Sequence, residues 1–150
     1  MKRVFAILFA SLGLMGCVSV TYQRLELPSG MTLATHATRA RYVHLLEESC
    51  RHMTAMCPTD CDHGGVYAVF AIEEYTDYQQ FGEYGEERQE QFAVRLWLPN
   101  GSPDPETPEA LRKTIGDLDA GQAVTLHWNH IYRITEQGNF PVRTVTYLAE

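Results

Sequence analysis

Apolar and polar residues alternate through most of the second half of the chain. Phe92, Val94, Leu96 and Leu98 take one face and Ala93, Arg95 and Trp97 the other, which predicts a strand over 90–98. Val124, Leu126, Trp128, Tyr132 and Ile134 predict a long strand from 124 to about 135, and Val142 to Leu148 a last one after the Glu136-Gln137-Gly138-Asn139 turn. Val66 to Tyr75 is apolar on both faces until Glu73-Glu74, as in a strand covered on both sides. Between these strands the period changes. Asn100-Gly101-Ser102-Pro103-Asp104-Pro105 breaks the chain, Thr107 has the chemistry of an N-cap, and Pro108 suits the first helical position. Leu111, Ile115 and Leu118 then recur at i, i+4 and i+7, and Gly121 closes the helix.

One segment reads two ways. Tyr42, His44 and Leu46 fit one face of a strand over 37–48, while Val43, Leu46, Cys50 and Met53 fit a helical stripe. With 37–48 as a strand the order is strand, strand, strand, helix, strand, strand. That is the element order of a mainly β fold, a small five-stranded OB-like barrel with one helix between strands 3 and 4. With a helix at 37–53 the alternative is an α+β sheet with that helix packed on it.

The first residues carry an address. Met1-Lys2-Arg3 is cationic, Val4 to Leu14 is an apolar or small-residue run of 11, and Leu14-Met15-Gly16-Cys17 follows. This is the layout of a secretory signal, and the run falls short of the roughly 20 residues that span a bilayer. The ending resembles the lipobox of bacterial lipoproteins, which implies cleavage before Cys17 and a lipid on its thiol. The stretches Cys57-Pro58-x-x-Cys61-x-His63-Gly64-Gly65 and Gly82-Glu83-Tyr84-Gly85 resemble domains of uncharacterised OB-like envelope lipoproteins. The domain plan is then a signal peptide over 1–16, the lipidated cysteine and a tether over 17–36, and one domain over 37–150. The resemblance implies a membrane partner through Cys17 and a place in the bacterial envelope. Val18 stands where Asp would retain a Gram-negative lipoprotein at the inner membrane, so the outer membrane's periplasmic face is expected.

Charge narrows the partners. Residues 17–150 hold 10 Lys and Arg against 19 Asp and Glu, a formal charge of −9. Phosphate backbones and anionic headgroups repel such a chain, which argues against nucleic acid. A protein, a glycan or a cationic ligand is expected instead. Tyr75, Tyr78 and Tyr84 interleave with Glu73, Glu74, Asp77, Glu83, Glu86 and Glu87, and with Trp128 they form a candidate ligand face. Aromatic faces beside carboxylates hold organic cations or sugars; aromatics packing across a hairpin explain the same residues.

After lipidation, Cys50, Cys57 and Cys61 remain, an odd number in an oxidising compartment. They are disulfide candidates. They also lie with His52, Met53, Met56 and His63, and thiolate, thioether and imidazole donors suit copper or zinc. Cys50, Cys57, Cys61 and His63 are therefore the candidate metal set of a metal-handling alternative, whereas the leading reading needs no cofactor. On an OB-like plan the 49–65 loop lies near Thr135 to Asn139 at one mouth. His127 and His130 sit three apart on a strand and point to opposite faces, so they do not share an ion, and His130 is expected as a hydrogen-bonded core residue. No Gly-x-Ser-x-Gly, phosphate loop, His-Glu-x-x-His or dinucleotide fingerprint occurs. The reading that remains is a non-enzymatic binding or structural module on a lipid anchor.

Overall fold

Each alternating segment becomes a strand of one antiparallel sheet in the computed structural model, which describes residues 21–49, 64–136 and 138–150. In chain order the elements are β1 (Thr21–Gln23), β2 (Gly30–Glu48), β3 (Gly65–Gln80), β4 (Gln91–Trp97), α1 (Glu109–Gly116), β5 (Ala123–Thr135) and β6 (Gly138–Ala149). The sheet order is β1-β6-β5-β2-β3-β4. β2 is central and settles the ambiguous segment: 37–48 is strand, not helix, and residues 50–53 of that alternative lie outside the described residues. Its pattern explains why. His36, Thr38, Ala40 and Tyr42 face inward and are buried, while Arg39 and Arg41 face outward and pair with Glu74 and Glu73 of β3. β3 on one side and β5 on the other take up the backbone hydrogen bonds of the strand.

The fold is mainly β, but the sheet is open and has six strands rather than five closed into a barrel. Both edges that a barrel would join are already covered in part. Beyond β4, Trp97 bridges to Pro103, the Asp104 N–H donates to the Leu96 carbonyl (3.0 Å) and Thr107 Oγ1 donates to the Arg95 carbonyl (2.7 Å). Beyond β6, Thr21, Tyr22 and Gln23 pair with Ala149, Leu148 and Tyr147. The sheet also begins earlier in the chain than the expected boundary at 37, because Tyr22 and Leu33 are core residues and residues 30–36 belong to β2.

The helix keeps the predicted stripe and changes its ends. Leu111, Ile115 and Leu118 are 2%, 2% and 8% exposed and pack with Phe92, Leu96 and Leu148 in one core. Burial of each such side chain contributes about 1.5–3 kcal/mol, and this packing holds an eight-residue helix that is too short to stand alone. Thr107 is not the cap, since its hydroxyl is bonded to β4; Pro108 takes that place without a side-chain bond. The helix stops at Gly116, and Gly121 (φ +86°) instead turns the chain into β5, its N–H donating to the Tyr42 carbonyl.

Register corrects the expected mouth. Gly30 lies opposite Arg133 and Arg41 opposite Ala123, so the β5–β6 turn sits at the Gly30 end of β2. Glu48 and Gly65, which flank the cysteine segment, lie at the other end of the sheet.

Candidate functional site

Toward the Gly30 end the inward face of β2 carries one buried imidazole, His36. His36 lies opposite Trp128 of β5 and Tyr78 of β3. Its ring stacks on Trp128 at 4.4 Å and 8°, and approaches Tyr78 at 5.1 Å and Tyr75 at 6.0 Å. Residues three apart on a regular strand face opposite ways. Here the β2–β3 register shifts between Ala37 and Thr38, with Asp77 opposite one and Tyr75 opposite the other, so Thr76 is an extra residue. That bulge puts Tyr75 and Tyr78 on the same face.

The loop from 81 to 90 is strapped over this aromatic box by Glu86, whose side chain is 8% exposed. Its carboxylate pairs with Arg143 of β6, accepts from Trp128 Nε1 at 3.3 Å, and lies 3.8 Å from His36 Nε2. The Glu86 N–H donates to His130 Nδ1 (3.1 Å), and the Tyr78 hydroxyl donates to the Glu86 carbonyl (3.1 Å). In the neutral ring of His130 this leaves Nε2 as the N–H donor. Tyr75 Oη accepts the Gln89 N–H at 2.7 Å, and the Arg88 guanidinium lies over Tyr75 and Tyr78 at 5.3 and 5.1 Å. Gly85 permits the close approach: a Cβ there would collide with the Leu33 carbonyl and the Gln80 side chain.

His36 itself is enclosed, and neither ring nitrogen has a hydrogen-bond partner among the described residues. Burial pushes its pKa down to about 4, against the opposing pull of Glu86; His130 and Arg143 add to the lowering. Burial also lowers the pKa of His127, which lies on the other face against Tyr147. His130 is hydrogen-bonded as expected, though half-buried rather than in the core.

The Glu86 strap leaves the end of the face open. Ala34, His130 and Arg143 form one cross-strand row, and Met31, Tyr132 and Pro141 the next. Of these, His130, Met31, Tyr132 and Pro141, with Leu33 of β2 and Tyr84 of the strap, line an apolar groove of about 510 Å³. Met31 is 58% and Tyr84 81% exposed, and Ile134 and Phe140 add further exposed apolar surface at this end. A second cavity of about 220 Å³ lies between β4 and β6, where Asp104 holds Arg95. Gly30 (φ +153°) starts β2 at the groove, where a Cβ would run into the Tyr132 carbonyl.

The four residues of the predicted ligand face are thus divided. Tyr75, Tyr78 and Trp128 meet around His36, with Trp128 fully buried, whereas Tyr84 stands apart and walls the groove. Cys17, Cys50, Cys57, Cys61 and His63 lie outside the described residues. Among the described residues no group of three or more His, Cys, Asp or Glu could hold a metal ion, and no helix is long and apolar enough to cross a membrane. Sequence reasoning did not single out His36, Glu86, Arg143, Met31, Tyr132 or Pro141. A polar residue in step with Thr38, Ala40 and Tyr42 was a signal for His36; nothing in the sequence separates Glu86 from its acidic neighbours. No protein-family model matches the chain, and no curated protein or solved structure does so either.

Proposed function

We propose that this is a lipid-anchored protein of the bacterial envelope that binds a partner, without catalysis, in the groove at the Gly30 end of its sheet. The groove carries the reading. Its roughly 510 Å³ falls within the range of ligand pockets, and its lining is apolar and aromatic around one imidazole. Exposed apolar surface beside a groove marks an interaction site; Met31, Tyr84, Tyr132, Ile134 and Phe140 supply it at the groove end, and Val43, Leu45 and Leu46 are also exposed, toward the other end of β2. The Glu86 strap fixes the Tyr84 wall in advance of binding, which reduces the ordering cost of association.

An OB-like plan is consistent with the strand order. With β1 set aside, β6-β5-β2-β3-β4 with a helix between β4 and β5 is such a barrel left open between its third and fifth strands. The anchor supplies orientation. Thr21 is already in the sheet, so a lipid on Cys17 would lie within about 14 Å of it even with the four intervening peptide steps fully extended. Thr21 pairs with Ala149, and Pro141 of the groove lies eight residues away along β6, roughly 25 Å. The groove therefore stands off from the membrane, facing the compartment.

Two measurements test this. Palmitate labelling of the expressed full chain is expected, with loss in Cys17→Ala. A photocrosslinking residue at position 84 is expected to give a discrete adduct in intact cells, and one at Glu47, at the far end of β2, is not. Equal adducts from both positions, or none from position 84, would remove the groove from the proposal.

A further inference from the structure

The groove has a sign of charge as well as a shape. Three arginines belong to the strap and the neighbouring strands: Arg143 pairs with Glu86, Arg133 pairs with Glu106, and Arg88 lies over Tyr75 and Tyr78 without an ion-pair partner among the described residues. Glu83 and Glu87 on the strap, and Glu136 beyond Ile134, are exposed and have no ion-pair partner among the described residues. Three unpaired carboxylates against the one unpaired guanidinium of Arg88 leave the local balance negative, on a chain whose net charge is −7. Such carboxylates act over a Debye length of about 8 Å at physiological salt.

From this complementarity we infer that the groove takes an organic cation with an apolar body, an inference that rests on the groove being the binding site. The cationic head would sit against the faces of Tyr84 and Tyr132, where the ring quadrupole attracts positive charge, with the rim carboxylates adding to the field. Met31, Leu33 and Pro141 would take the apolar body. The chain already uses this chemistry next door, where Arg88 lies over Tyr75 and Tyr78. An anionic ligand of the same shape would meet the three carboxylates and find one imidazole N–H in return.

The test uses the full chain in a neutral detergent, labelled with 13C at the methionine methyls, the Met31 resonance being identified by its loss in Met31→Leu. It is titrated with benzyltrimethylammonium, benzyl alcohol and phenylmethanesulfonate. The expected result is a saturable Met31 shift with the cation, at a half-saturation at least about tenfold below that of the sulfonate. Tyr84→Ala is expected to weaken the cation by about threefold or more, and Glu83→Gln with Glu87→Gln to weaken it and flatten its salt dependence. Tyr84 is exposed, so its removal leaves the core intact. If the alcohol or the sulfonate saturates Met31 as readily as the cation, and Tyr84→Ala weakens it, the groove stands as a site and the cation preference is overturned. If no probe gives a saturable Met31 shift, the inference and the binding-site reading fall together.

Discussion

His36→Phe isolates one buried titratable group. The imidazole is 2% exposed, stacked on Trp128, and makes no hydrogen bond through either nitrogen among the described residues. At pH 7.5 the substitution loses no bond and relieves an unsatisfied polar group, worth about 1–3 kcal/mol. Fitting a larger ring into the same box costs about 1–3 kcal/mol, so the net change there is expected to be small. The pH dependence is where the variants part. An unfolded histidine takes up its proton near pH 6.5, whereas His36 in the fold resists until about pH 4. The unfolded chain therefore binds the extra proton in between. The stability that a neutral His36 permits is complete above pH 6.5, declines as pH falls toward 4, and is flat below. That gap corresponds to about 3 kcal/mol at 1.36 kcal/mol per pH unit. Glu86, His130, Arg143, Tyr75 and Tyr78 face His36 in both proteins, and His127 also remains, so subtracting the two curves removes their shared contributions. Urea unfolding between pH 7.5 and 4, followed by tryptophan fluorescence, is expected to show His36→Phe gaining about 3 kcal/mol on the parent as the pH falls. Parallel curves would refute the reasoning. They would mean that protonated His36 finds enough compensation at Glu86, 3.8 Å away, to cancel its burial.

Two other substitutions probe the strap and the core. Glu86→Gln keeps an acceptor for Trp128 and removes the charge opposite Arg143; because that arginine is half exposed, a loss of about 1–3 kcal/mol is expected rather than the full cost of a buried pair. It should also speed proteolysis within 81–90, and an unchanged urea midpoint with unchanged cleavage would show that the strap is held by its backbone bonds alone. Leu111→Ala empties the centre of the helix–sheet contact and is expected to cost about 2–5 kcal/mol in urea with no change in m-value; a loss below about 1 kcal/mol would place the helix outside the cooperative core.

What could be read in advance follows a physical boundary. Strands β4, β5 and β6 and the stripe Leu111, Ile115, Leu118 were legible because burial on one face imposes a period of two or 3.6 on the sequence, and β3 was legible as an apolar run from Val66. Segment 37–48 was ambiguous because Val43 and Leu46, both exposed in the fold, stand in helical step with Cys50 and Met53, which lie outside the described residues. Barrel closure was not legible at all. The residues that cover the two edges, Pro103, Asp104 and Thr107 on one side and Thr21 to Gln23 on the other, have no period, and their bonds run through backbone and a hydroxyl. The site divides along the same line. Tyr75, Tyr78 and Trp128 were conspicuous as aromatics, yet their meeting at His36 depends on Thr76 being an extra residue opposite β2. Without that bulge Tyr75 and Tyr78 would point to opposite faces, and no spacing rule supplies a bulge. Glu86 is harder still, because one carboxylate among Glu83, Glu86 and Glu87 turns inward only where Arg143 and Trp128 await it from two other strands. The groove is what such non-local agreements leave uncovered: the strap closes the face as far as Glu86 and stops, and Met31, Tyr132 and Pro141 continue beyond it in register, exposed at the end of the sheet that would stand farthest from a lipid on Cys17.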